Sequence, residues 1–205
     1  MATTRAANKS STATVTAFAH APSSFTLYWL AISLPLVVWD SGYVFLRPRS
    51  MPGGDLHWPL WVPYALYGEI DHVYGWKAFN AGSGFTSGQG FLNVLETLLY
   101  IYYVAVYFQN AIPVGGTKVV VGRKAAISVL VAFSAAVMTL SKTILYWLCE
   151  YYSGFDNIGH NSLLDLIFLW IIPNGAWLVG PTVMIYELGN ELVNGLVAGP
   201  GVKRD

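Results

Sequence analysis

Four apolar runs, each near the ~20 residues that a helix needs to cross a bilayer, dominate this 205-residue chain. They cover approximately 25–46, 90–112, 124–152 and 161–187. In lipid every backbone polar group must be satisfied internally, so only helices and closed barrels can span it. A barrel would show short alternating segments in series, and no such pattern recurs here. The expected fold is therefore an all-α integral membrane protein, a bundle of four transmembrane helices. Charge agrees with this. Charged residues make up 11% of the chain, under half of the ~25% usual in soluble domains. Eleven basic residues offset eleven acidic ones and form no basic face, which excludes a nucleic-acid surface. The single cysteine, Cys149, excludes a disulfide framework and a multi-cysteine metal site.

The runs divide the chain into a flexible N-terminal tail (1–24), a membrane domain (25–189) and a C-terminal tail (190–205). Between the first two runs lies a long segment, 47–89, that is too aromatic for a plain loop. Trp58, Trp61, Tyr64, Tyr67, Tyr74 and Trp76 suit an ordered cap at the membrane interface, where amphipathic rings favour the headgroup level. With four spans, both tails and the second loop share one side. That side carries Arg5, Lys9, Lys118, Arg123, Lys124, Lys203 and Arg204, against Arg47, Arg49 and Lys77 on the other. The bias predicts cytosolic termini and a lumenal aromatic loop.

Six titratable residues lie within the runs or at their ends: Asp40, Glu96, Lys142, Glu150, Asp165 and Glu187. A charge near the bilayer centre costs at least ~2.5 kcal/mol on insertion scales, so such residues turn inward and mark functional sites. Asp40 stands some six residues before the far end of the first run, and Glu96 the same distance into the second. At ~1.5 Å per residue both sit roughly 9 Å below the same surface. These two are the candidate catalytic acids. Glu150 and Asp165 suit structural roles at span ends, and Glu187 suits snorkelling to the interface.

Helical spacing collects further candidates. Asn93, Glu96, Tyr100 and Tyr103 share one side of the second run, Met138, Lys142 and Tyr146 one side of the third, and Trp170, Asn174 and Trp177 one side of the fourth. Pro173 frees a backbone carbonyl and predicts a kink at that level. Together these faces predict an aromatic cavity with few polar points, as an apolar polycyclic ligand requires. The expected substrate-binding residues are Trp39, Tyr100, Tyr103, Lys142, Tyr146, Asn174 and Trp177.

The segment from Leu145 to Phe155 (L-Y-W-L-C-E-Y-Y-S-G-F), the I-G-H of Ile158–His160 and the N-G-A-W of Asn174–Trp177 followed by Pro181 resemble the emopamil-binding protein family. These are the sterol Δ8–Δ7 isomerases of the EXPERA superfamily, which also includes the sigma-2 receptor. L-E-T at Leu95–Thr97 and W-K-A-F at Trp76–Phe79 resemble further family segments, and the likeness covers about 27–190. It implies an endoplasmic-reticulum bundle with a sterol-sized intramembrane cavity. In that chemistry a proton is added to a ring double bond, aromatic and acidic groups stabilise the cation, and a base removes a neighbouring proton. The resemblance implies that Glu96 matches the second-span glutamate, Asn174 and Trp177 the fourth-span pair, and Asp40 the first-span acid. Three features depart from it. Leu36 stands where the isomerases carry a histidine, none of His20, His57, His72 and His160 lies in the first span, and residues 1–22 are polar where the isomerases have a further span.

The expected function is a cofactor-independent acid–base isomerase or cyclase acting on a lipophilic polycyclic substrate such as a sterol or terpenoid. The alternative is a non-enzymatic sterol or amphiphile binder like the sigma-2 branch, with Asp40 as counter-ion to a ligand amine. The expected partners are a lipophilic small molecule, membrane lipids and, as a homodimer, a second copy of the chain. No cofactor, metal or nucleic acid is expected.

Overall fold

The computed structural model describes residues 18–198. Four helical rods run up and down through it: α1 (Ser24–Phe45), α4 (Phe85–Asn110), α5 (Gly122–Tyr152) and a continuous fourth rod, Leu163–Ala198. The last comprises a short α6 (Leu163–Asp165), a π-helical turn (Leu166–Ile171) and α7 (Ile172–Ala198). All four are long and apolar enough to cross a membrane, so the protein is an all-α, four-helix membrane bundle. Helix α5 lies at its centre, packed on α4 and on α7, while α1 leans on α4 and touches α7 little.

The centre of the bundle is built for close approach. Along α5 the buried positions include Ala125, Ser128, Val129, Ala132, Ala135 and Ala136. In lipid, where apolar contact alone gives no drive to associate, such small residues let backbones pack tightly. Leu30, Tyr100, Tyr103, Met184 and Leu188 fill the remaining space. The small area where α1 meets α7 is a tight local contact. The Trp29 indole lies on Gly180, where an added Cβ would stand 2.3 Å from a ring carbon, and it meets Trp177 edge-on at 5.4 Å.

At the end bearing the chain termini, β2 (Ile112–Val114) and β3 (Thr117–Val121) form a hairpin around Gly115 and Gly116. Both glycines have positive φ, as the two-residue turn that matches strand twist requires. A third strand, β1 (Ala19–His20), pairs antiparallel with β3. The segment just before α1 is therefore ordered rather than tail. His20 is buried, with Nδ1 2.8 Å from Glu191 and Nε2 2.8 Å from the Tyr103 hydroxyl. Glu191 sits on α7, whose helix continues to Ala198, so the C-terminal tail expected from 190 is helical that far. Glu187, expected to snorkel, instead accepts hydrogen bonds from Ser23 and Thr26 at the start of α1. Residues 1–17 and 199–205, the rest of the expected tails, lie outside the described residues.

The opposite end carries the expected aromatic cap, with α2 (Pro63–Ile70) and α3 (Trp76–Asn80). Tyr43, Val44, Met51, Trp61 and Tyr64 form its buried centre, with Tyr43 and Tyr64 stacked at 3.8 Å. Two indoles lace it to α1: Trp39 donates to the Leu60 carbonyl at 2.8 Å, and Trp61 to the Trp39 carbonyl at 3.1 Å. The α5–α6 loop closes the far side. Asn161 donates to the Ile70 carbonyl, His160 bonds the Glu69 carbonyl, and Lys77 pairs with Asp156. Helix α4 begins at Phe85, earlier than the apolar run suggests, because Thr86 in its first turn is buried against the cap and donates to the Val73 carbonyl at 2.7 Å.

Candidate functional site

Beneath the cap, all four rods and α2 line a partly open cavity of about 480 Å³, within the ~300–1,000 Å³ typical of small-molecule sites. Helix periodicity explains who lines it. Helix α1 contributes Leu36, Trp39 and Asp40, α4 contributes Phe85, Gln89 and Asn93, α5 contributes Lys142, Thr143 and Tyr146, and the fourth rod Leu169, Pro173, Asn174 and Trp177. The cap adds Tyr64, Tyr67, Ile70, Val73 and Tyr74. The walls are mostly apolar and aromatic, with a few convergent polar groups.

One hydrogen-bond chain runs through those groups. Tyr64 donates to Asp40 Oδ1 at 2.5 Å, and Asn93 Nδ2 donates to Asp40 Oδ2 at 3.2 Å. The Asn93 carbonyl oxygen accepts from Lys142 Nζ, which also donates to Glu96 Oε2 at 2.8 Å. Thr139 Oγ1 donates to the same Glu96 oxygen at 2.8 Å and lies 3.3 Å from the Tyr100 hydroxyl. Burial, and then the neighbouring Asp40 carboxylate, push the Tyr64 phenol well above its ordinary range. Tyr64 is therefore a fixed donor to Asp40.

The expected acid pair is thus connected but not equivalent. Asp40 faces the cavity; Glu96 does not line it, and stands behind Lys142 as its buried partner. The physical reason lies in helix rotation. Asn93 and Glu96 are three residues apart, and the face they share points at α5 rather than squarely into the void, so only Asn93 reaches the cavity. Tyr100, expected in the lining, lies one step deeper, against Thr139. Tyr103 lies deeper again, bonded to His20 at the other end of the bundle. Trp39, Lys142, Tyr146, Asn174 and Trp177 do line the cavity. Glu150 is buried and accepts from the Asn157 side chain at 2.7 Å, which shapes the α5–α6 loop. Asp165 is exposed and bonded to Ser162 at the start of α6.

A second polar centre escapes sequence reasoning. Asp71, in the turn after α2, is fully buried and accepts from the Val73 amide, from Trp170 Nε1 at 2.8 Å and from the Tyr146 hydroxyl. Burial raises its carboxyl to about 6, against the pull of these donors. The Tyr67 phenol, deeply buried beside Asp71, is pushed well above its ordinary value for the same reason. It accepts from Asn174 Nδ2 at 3.3 Å. Just before Pro173, where the sequence predicts a kink, the rod makes a π turn in which the Ile172 amide reaches the Ile167 carbonyl. A π turn swings side chains off the regular helical spiral and recurs at functional sites. Here Trp170 lies within it and reaches Asp71. The signal for Asp71 was a carboxylate between Ile70 and Val73 in a segment otherwise rich in aromatics.

The chain was compared with protein-family models, with curated proteins and with solved structures, and none of them matches it.

Proposed function

We propose that the protein is a cofactor-independent acid–base isomerase or cyclase of a lipophilic polycyclic substrate, of the emopamil-binding protein type that its sequence resembles. The observation that carries this reading is the Asp40 carboxyl. It faces an apolar cavity, is held by Tyr64 and Asn93, and connects through Asn93 to the Lys142–Glu96 pair. On this reading the carboxyl supplies the proton that a substrate double bond receives. The positive charge that then forms on carbon meets the ring faces of Trp39 and Trp177. The neighbouring proton leaves to a base of the same chain, and the pair of transfers shifts the double bond or closes a ring. In this scheme Glu96 acts through Lys142, and Asn174 with Tyr67 offers an oxygen-bearing substrate its anchoring point. The same reading puts the protein in the endoplasmic-reticulum membrane with both termini cytosolic.

Deuterium exchange tests this whatever the product is. Purified protein in lipid nanodiscs is incubated in D2O with candidate sterols and terpenoids, and the recovered lipids are weighed by mass spectrometry. Deuterium on carbon is expected with the native protein and not with Asp40→Asn. Equal incorporation by the two would remove Asp40 from the chemistry.

One observation favours the binding alternative. Leu36, one turn before Asp40, lines the cavity where the isomerases place a histidine, while Tyr64 and Tyr74 surround the carboxyl as a cage for an amine would. A lipophilic amine that binds in proportion to Asp40 charge, with no deuterium uptake by any substrate, would decide for the binder.

A further inference from the structure

Among the described residues, Lys142 is the only lysine that lines the cavity. Its side chain is 9% exposed, and Nζ is held by Asn93 and by Glu96 at 2.8 Å. Acid–base chemistry asks of this group only that it hold or pass a proton. Its surroundings suit more than that. Glu96 Oε2 takes the Lys142 and Thr139 hydrogen bonds, while Glu96 Oε1 is buried without a hydrogen-bond partner. The Nζ–Oε2 hydrogen bond is the path by which Glu96 can take the proton that a lysine must lose before it becomes a nucleophile. Leu36, Phe85, Leu169 and Trp177 line the same cavity, and their apolar side chains favour a greasy ligand over a polar one.

We infer that Lys142 captures a lipophilic aldehyde or ketone as a protonated Schiff base. Glu96 first takes one proton from the ammonium. The neutral nitrogen attacks the carbonyl carbon, a C–N bond forms, and the π electron pair moves to oxygen. A second nitrogen proton passes to that oxygen and gives the carbinolamine. Glu96 then returns its proton to the hydroxyl, the C–O bond breaks, and water leaves. One ammonium and one carbonyl become one iminium and one water, with no change of oxidation state. The iminium keeps the charge that Lys142 carried, and the Glu96 carboxylate remains its partner.

All-trans-retinal is the probe, because a protonated imine shifts its absorption to the red. The full chain in nanodiscs is mixed with retinal at neutral pH, reduced with cyanoborohydride, and mapped by peptide mass spectrometry. Labelling at Lys142 is expected to exceed that at Lys77, Lys118 and Lys124 by about tenfold, and Glu96→Gln to slow it by a similar factor. Lys142→Arg is expected to abolish the red-shifted band. Labelling spread evenly over the six lysines of the chain, or a rate at Lys142 unchanged by Glu96→Gln, would overturn the inference. The comparison among lysines uses the unaltered protein, so it does not depend on a variant's folding. The inference does not rest on the isomerase reading: an adduct without deuterium exchange overturns only that reading, and exchange without an adduct overturns only this one.

Discussion

Asp40 and Glu96 both accept hydrogen bonds from neighbouring helices, but only Asp40 meets the void, so their variants are expected to differ in kind. If the proposed acid–base reading holds, Asp40→Asn removes the proton donor, and turnover should fall by about 10²–10⁴-fold. Glu96→Gln leaves Lys142 without its partner; turnover should fall less, with a displaced pH profile, in assays run from pH 5 to 9. Asp71 makes a separate prediction. Its carboxyl holds its proton up to about 6 in the folded protein, against an ordinary 3.8. The folded state therefore binds more protons than the unfolded one. Its stability should fall as pH rises from about 4 to about 6 and stay level above, a loss of at most about 3 kcal/mol. Thermal unfolding at pH 4 and pH 7 checks this, and the gap should narrow in Asp71→Asn. At this scale the sequence was partly readable. Asp40, Lys142 and Asn174 stand out as polar points in apolar runs. Asp71 does not, since a carboxylate between α2 and α3 looks solvated until the fold closes over it.

Helix-to-helix fit decides the next scale. Trp29 lies directly over Gly180, so a larger residue there must displace an indole wedged between α1 and α7. Gly180→Val is expected to cost about 1–3 kcal/mol, read as a lower melting temperature. Trp29→Ala added to it should recover part of that loss, because the clash goes with the ring. If the double variant is as unstable as the sum of the two singles, the contact is not what the substitution broke. The number and order of the rods are legible from the apolar runs, but their ends are not. Polar first turns that a cap buries, as at Thr86, and polar last turns that neighbours hold, as at Glu187 and Glu191, read as loop or tail when seen alone. Periodicity shows which residues share a face. It does not say which neighbour that face meets, so it cannot separate Tyr100 and Tyr103, which lie deeper in the bundle, from residues that line the cavity.

At the scale of the whole molecule, polar groups collect at two levels. One set lies under the cap around Asp40, Lys142 and Asp71; the other lies near the termini, where His20 joins Tyr103 and Glu191. The second set fastens the strand before α1 to α4 and α7, so it governs the end of the bundle opposite the cavity. His20→Ala is expected to speed hydrogen exchange in β1 and in the last turns of α7, and to leave amides around α2 unchanged. A change that reached α2 would show that the two levels are coupled. Four apolar runs were enough to foresee four helices and their order. The cap's role as a wall of the cavity was out of reach, because it depends on Tyr64, Tyr67 and Tyr74 folding back onto α1 and α7.

Because its walls come from α1, α4, α5 and α7, the cavity cannot exist until the ribosome has released the last of these helices. Lys142 enters the bilayer before that moment, when α7 is still being made. Its partner Glu96 belongs to α4, which has already been synthesised and precedes α5 by a short hairpin. The two helices can therefore leave the translocon as a pair with their charges matched. Glu96→Gln is therefore expected to lower the fraction of nascent chains that integrate α5, as a glycosylation reporter fused after Tyr152 would measure.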